Sequence, residues 1–307
     1  HVKANALFAR HDTTIYLNAN ADLTIGDGTN PALLLMFGSV FTGAAGTGIH
    51  FGTSEGVIAC GGQRACSIGA NILSANGMTF TSSPDYRNSS DHGRLTLSGA
   101  NAYSGVTRIG VGAFRDCAAL RSIRFANGVT NLPPYTLGGC TGITNVWIGS
   151  GVTSIGTGAC PKGTTEGFDL TIEGAGDAVI EFAAFSGSNV RHVRISGVKR
   201  IGDEAFARCR SLESVAFGDC PKLEYIGKGA FIDCPLLGSV ALPNSASTTI
   251  ENQAFRGCSG MASFEFGTGE YWFAGEGNFS SCSSLTSFTF PDGVKNVSGV
   301  EQATVSV

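Results

Sequence analysis

Charge is scarce in this chain. Asp, Glu, Lys and Arg make up 14% of its 307 residues, against roughly 25% in an average soluble domain. A net charge of −4 and a pI near 5.7 give no long-range pull toward nucleic acid or anionic lipid. Long apolar runs are missing too. The longest, around Ala32–Phe37, falls far short of the ~18 residues a spanning helix needs and has the length of a buried strand, so no membrane span is expected. Segments rich in Ala, Glu, Lys and Leu, the usual material of surface helices, are nearly absent. The five histidines are His1, His11, His50, His92 and His192, and neither a P-loop nor His-Glu-x-x-His occurs, so two common catalytic frameworks drop out. The sequence opens at His1 rather than Met, as expected of a chain with its leader removed or of a piece of something longer, and what remains shows no signal peptide.

Glycine, in contrast, is abundant. There are 44 glycines, and 42% of residues are hydrophobic. Many tight turns between short strands, around a core of ordinary size, are the natural reading. In residues 1–105, short apolar runs alternate with Gly, Ser, Asn and Asp turns. The runs are Thr14–Leu17, Leu23–Ile25, Leu33–Phe37, Ile49–Phe51, Val57–Cys60, Ala70–Leu73, Met78–Phe80 and Leu95–Leu97. Strands this short and this closely spaced fit a sandwich or a β-helix. Leu95–Gly110, LTLSGANAYSGVTRIG, resembles the short repeat of bacterial autotransporter passenger domains, which are parallel β-helices. On that resemblance LTL and VTRI are successive strands and SGANAYSG is the turn between them.

From Ile109 a second pattern recurs, I-G-x-x-A-F-x-x-C-x-x-L-x-x-V-x-F, most clearly at Ile201 (IGDEAFARCRSLESVAF) and Ile226 (IGKGAFIDCPLLGSVAL). The Phe position falls at Phe114, Leu137, Cys160, Phe185, Phe206, Phe231, Phe255 and Phe279, spaced by 21 to 25 residues. That period belongs to leucine-rich repeats, each one turn of a solenoid. The wording, with Gly-Val-Thr before the next Ile in several units, resembles the BspA-like class over about 106–297. The fold expected is mainly β: a solenoid whose parallel β-helix-like N-terminal region (1–105) continues into a leucine-rich repeat solenoid of about eight units (106–297) and a tail (298–307). L-x-x-V-x-F should be a parallel strand, the Phe column a stacked spine, and Ala the residue that lets the backbone come close. The third unit has Cys160 for Phe and a delayed strand, and the fourth has Ser188 for Cys. Together they should kink or loosen the stack.

Six cysteines occupy one repeat column: Cys117, Cys140, Cys209, Cys234, Cys258 and Cys282. Neighbouring rungs permit disulfides, yet a compact apolar plug explains the column better, so free buried thiols are expected. Cys60 and Cys66, in CGGQRAC, are the disulfide candidate. No ligand set for a metal completes itself around them, and no cofactor is implied. Sequons stand at Asn88, Asn278 and Asn296. Ser54, in GTSEG, reads as a turn residue because strand-like VIAC, not a helix, follows it. Asp85, Asp91 and His92 share one polar loop, the nearest thing to the carboxylate cluster of a polysaccharide-cleaving β-helix.

Between the inward strand residues, the outward position reads Arg124, Trp147, Thr171, Arg194, Ala216, Ala241, Glu265, Thr289. Two residues earlier it reads Ser122, Asn145, Asp169, His192, then serines. Arg124 and Arg194 would lie roughly 15 Å apart with exposed Trp147 between them, the composition of a hot spot for a protein or glycan. The BspA-like resemblance implies surface attachment and protein or matrix binding. The expectation is a non-enzymatic extracellular or cell-surface solenoid, serving adhesion, protein or glycan binding, or end-to-end self-association into structural arrays. The alternative is a carbohydrate-active β-helix enzyme using the repeats as a binding arm.

Overall fold

The computed structural model describes residues 108–296 apart from 116–119, 126 and 288, and before them the strand segments between residues 3 and 103 together with Phe51. The described secondary structure is all strand, and none of it is a helix long and apolar enough to cross a membrane. Two compact units are present, one of residues 1–117 and 128–138 and one of 118–127 and 139–307.

The first unit contains β1 (Lys3–Ala4), β2 (Ala6–Ala9), β3 (Thr14–Leu17), β4 (Leu23–Ile25), β5 (Ala32–Met36), β6 (Val40–Gly43) and β7 (Gly48–His50). It continues with β8 (Gly56–Cys60), β9 (Cys66–Ile68), β10 (Asn71–Ser74), β11 (Met78–Ser82), β12 (Leu95–Leu97), β13 (Ala102–Tyr103) and β14 (Arg108–Ile109). Every strand pairs in parallel with its third successor, giving sheets β1-β4-β7-β10-β13, β2-β5-β8-β11-β14 and β3-β6-β9-β12. Three sheets visited in rotation make a three-sided parallel β-helix. Its interior is apolar because strand residues alternate faces: Ile25, Leu34, Ile49, Phe51 and Ile58 are buried, and Leu34 lies in register with Ile58. The structure corrects one expectation. LTL and VTRI are not successive strands, because β13 lies between them. A three-sided coil needs three strands per turn, and two residues, Ala102–Tyr103, suffice for the third.

The second unit begins with β15 (Ser122–Phe125), whereas β16 (Asn131–Leu132) belongs to the first. It goes on through β17 (Asn145–Ile148), β18 (Ser154–Ile155), β19 (Phe168–Ile180), β20 (Val190–Ile201), β21 (Ser214–Phe217) and β22 (Tyr225–Ile226). It ends with β23 (Ser239–Ala241), β24 (Ser247–Ile250), β25 (Ser263–Glu265), β26 (Glu270–Phe273) and β27 (Val294–Asn296). Two parallel ladders result, β15-β17-β19-β20-β21-β23-β25 and β18-β19-β20-β22-β24-β26-β27. The mid-array irregularity does not loosen the stack. β19 and β20 run through both ladders and stay paired from Phe168↔Val190 to Ile180↔Ile201, absorbing the irregular spacing in register shifts after Phe168, Glu173 and Ala178. β20 carries one extra residue at the first and third shifts and β19 three at the second, and these bulges bring the inward faces back into register, so pairing survives. In the eighth unit no strand forms around Ser287 and Thr289 among the described residues, and the first ladder stops at β25.

On the side away from the ladders the chain crosses in stacked turns. Glu204, Phe206 and Arg208 donate their N–H groups to the carbonyls of Lys228, Ala230 and Ile232 one rung on, while Ala205 and Ala207 donate within their own turn. Each backbone donor thus has a partner without helix or strand. The rings of Phe185, Phe206, Phe231, Phe255 and Phe279 stack at centroid distances of 4.8, 5.2, 5.3 and 5.8 Å, within 8° of parallel. The cysteine column lies beside them. Cys209, Cys234, Cys258 and Cys282 each donate S–H to the carbonyl of Phe185, Phe206, Phe231 and Phe255, every one at 3.2 Å. Around β26, Phe266 packs against Phe273 and Phe290.

Candidate functional site

The outward positions of the first ladder align as Arg124↔Trp147↔Thr171↔Arg194↔Ala216 and Ser122↔Asn145↔Asp169↔His192↔Ser214. The guanidinium of Arg124 lies over the indole of Trp147, 3.5 Å from the ring centroid. The indole N–H donates to Glu173 Oε1 at 3.2 Å. Trp147 is therefore half-buried beneath Arg124 and not the exposed ring expected from sequence, because a cation one rung away finds the π-face within reach. Gly149 makes room for it: a Cβ there would stand 2.6 Å from Phe125 O and 3.0 Å from Trp147 Cζ3. Three rungs along, roughly 14 Å by strand spacing, Arg194 is exposed and has no ion-pair or hydrogen-bond partner among the described residues. His192 Nδ1 lies 3.0 Å from Ser214 Oγ, and its Nε2 lies 3.9 Å from Glu213. The four sequence-derived residues thus share one face. Arg124 and Trp147 touch, whereas His192 and Arg194 form a separate group.

The second ladder carries a set that the sequence reading passed over. Its outward column is Val179, Arg200, Tyr225, Thr249 and Trp272, in register across neighbouring strands. Arg200 stacks on Tyr225 with its Cζ 4.1 Å from the ring centroid and donates to Glu224 Oε1 at 3.3 Å. Lys199 reaches the other Glu224 oxygen at 3.6 Å, and Lys222 pairs with Asp177 at 3.1 Å. The Tyr225 hydroxyl donates to Asp203 at 3.0 Å. Desolvation first, then that hydrogen bond and the charges of Asp203 and Glu251, push the phenol up to about 12. An open groove of about 740 Å³ lies over Arg200, Tyr225 and Thr249 of this column, between Lys199 and Glu251. The sequence signal for it is the residue immediately before each repeat Ile. Read down the units, that column holds Arg200, Tyr225 and Trp272.

The thiols Cys140, Cys209, Cys234, Cys258 and Cys282 are free and buried. Burial pushes Cys258 up, and pushes Cys282 up to about 11. Cys117 lies outside the described residues. Cys60 ends β8 and Cys66 begins β9, but the residues between them and both thiols lie outside what is described. The sequon residue Asn278 is fully buried and accepts from Ala254 N–H at 3.2 Å, which closes it to glycosylation in the folded chain. A sequon shows letters, and Asn278 occupies the inward column that holds Thr136 in the second unit and Ala in the others. Asn88 and the side chain of Asn296 lie outside the described residues, as do Ser54, Asp85, Asp91 and His92. Among the described residues no three His, Cys, Asp or Glu side chains gather as a metal site.

Two stretches, residues 92–171 and 178–300, match the family described as BspA type leucine rich repeat region, in six copies. The chain belongs to the BspA-type leucine-rich repeat family. No curated protein matches it. Among solved structures it is similar to a leucine-rich repeat protein from Bacteroides ovatus, with 16% identity over 72% of this chain and 83% of that one and a TM-score of 0.25. It is also similar to a leucine rich cell surface protein from Faecalibacterium prausnitzii, with 16% identity, 66% and 79% coverage and a TM-score of 0.21. The family match begins at residue 92 and so takes in Leu95–Gly110, and the autotransporter resemblance of that segment is not confirmed.

Proposed function

We propose that this BspA-type chain is a non-enzymatic protein of the cell surface that adheres to a partner protein through the outward face of its first ladder. The observation that carries the reading is the platform of Arg124, Trp147 and Glu173. A large aromatic is held in one orientation by a stacked cation and a hydrogen-bonded carboxylate. Such a side chain loses little freedom when a partner covers it, which is what makes an anchor efficient. Arg194, unpaired and roughly 14 Å away, provides a second contact at a spacing two rigid strands hold fixed. The surface location rests on the family and on the printed description of the Faecalibacterium relative.

The test is binding of the purified chain to immobilised extracellular-matrix proteins by surface plasmon resonance. Trp147→Ala is expected to weaken the strongest interaction at least about 30-fold, the scale of a hot-spot residue, and Arg194→Ala about tenfold. Equal affinity of wild type and Trp147→Ala, or no binding to any matrix protein, defeats the reading.

A further inference from the structure

We infer that the groove on the second ladder is a separate site, and that it takes a short neutral oligosaccharide. Its floor holds Tyr225 and Thr249, and the same outward column continues past the groove's edge to Trp272, so that a small residue separates two aromatic ones. Arg200 comes from the preceding rung, so it covers the Tyr225 face turned that way and leaves the other turned toward Thr249. Trp272 stands one rung beyond Thr249 and is 41% exposed, and its indole N–H has no partner among the described residues. Two rung steps separate the aromatic rows by roughly 9.6 Å. A saturated ring between them meets both faces at about 4 Å, its puckered thickness taking up the remainder of the gap. Flat C–H faces of a sugar meet aromatic faces in this way, whereas an extended peptide would pair with a sheet edge.

The polar groups select against charge. The cations of the groove are already satisfied, Lys199 and Arg200 by Glu224 and Lys222 by Asp177. A carboxylate ligand would have to displace those partners. What remains open is the carboxylate of Glu251 and the hydroxyls of Thr249 and Ser247, none of which has a side-chain partner among the described residues. One acceptor-only group beside two that both donate and accept matches neighbouring sugar hydroxyls, each of which does both. The volume lies within the roughly 300–1,000 Å³ of small-ligand sites.

The experiment is calorimetric titration of the full chain with cellotriose, maltotriose, an N-acetylglucosamine trimer and, as the charged counterpart, trigalacturonate. Binding of at least one neutral trimer is expected, weakened tenfold or more by Trp272→Ala and by Glu251→Gln, and unchanged by Glu265→Gln on the other ladder. These positions are at the surface, and a matching melting temperature shows that each variant has folded. The inference is overturned if no neutral trimer binds, if trigalacturonate binds in preference to all of them, or if binding survives both groove substitutions. None of these outcomes bears on the first-ladder platform, which is tested with protein partners.

Discussion

The residue that precedes the repeat alanine adopts a left-handed backbone in every unit, and this fixes what the position tolerates. Its φ is +62° at Gly112, +61° at Gly158, +57° at Gly229 and +70° at Gly277, but also +59° at Tyr135, +51° at Ala183, +53° at Glu204 and +57° at Gln253. The turn needs this conformation to aim the following Ala and Phe inward, so half the units adopt it without glycine. An L-residue there costs about 1–2 kcal/mol, and glycine returns about 0.5–1 kcal/mol of that in unfolded-chain entropy. Gln253→Gly is therefore expected to raise stability by about 0.5–1 kcal/mol. Gly229→Ala should lower it by at least as much, because the new Cβ would also stand 3.3 Å from Ile232 Cγ2. Urea melts of the two variants beside wild type check the pair, and shifts of the same sign in both would contradict the account.

At the level of the element, the turn is a slab whose thickness is set by one aromatic ring. Phe206, Phe231 and Phe255 are fully buried and stacked within 2° of parallel, so each ring contacts two others. Removing the middle one opens a cavity that cannot collapse without breaking the hydrogen bonds from Phe231 N to Ala254 O and from Phe206 N to Ala230 O. Phe231→Ala should cost about 3–5 kcal/mol. Phe231→Leu should cost less than about 2 kcal/mol, because it keeps most of the volume and the second unit of the repeat already uses Leu137 at this position. Chemical denaturation followed by circular dichroism measures both, and an equal loss would mean that the ring column is not what fills the slab. Much at this scale was legible beforehand. The repeat letters give the Phe spine, the thiol column and the outward register from Arg124 to Glu265, since each is a fixed offset in a fixed period. Trp147 was placed on the correct face, but its burial beneath Arg124 depends on a contact between rungs that no spacing reveals. The joining of the two ladders through β19 and β20 was hidden because bulges compensate there for irregular lengths. Tyr225 and Trp272 carry no periodic signal, because the column before the inward Ile226 and Phe273 changes residue type from unit to unit.

Across the whole molecule, stacking turns one buried thiol into a column, and the column gives stability a pH dependence. In that column Cys258 and Cys282 are held in the neutral form, chiefly by desolvation, and Cys282 reaches about 11, whereas at Cys209 desolvation is outweighed by the hydrogen bonds of Cys234 and Ser188, which draw the thiol down. In the unfolded chain each thiol ionises near its ordinary value of 9.0. Above that value the unfolded state releases protons that the folded state retains, so it binds fewer of them and stability falls as pH rises. The contribution is complete below about pH 9 and is lost progressively as pH climbs through 11, with Cys258 extending the loss further. It is a sum over the rungs whose thiols are held neutral, so its slope should follow the number of those thiols. Serine is the replacement that tests this, since Ser188 already fills the same column in the fourth unit and its hydroxyl lies 3.5 Å from Cys209 Sγ. Melting temperatures at pH 7, 9 and 10.5 are expected to hold and then drop for the wild type. A Cys258→Ser, Cys282→Ser double variant should start lower but fall less between pH 9 and 10.5. If the two curves fall in parallel, the alkaline loss comes from other groups and the thiol column contributes packing alone.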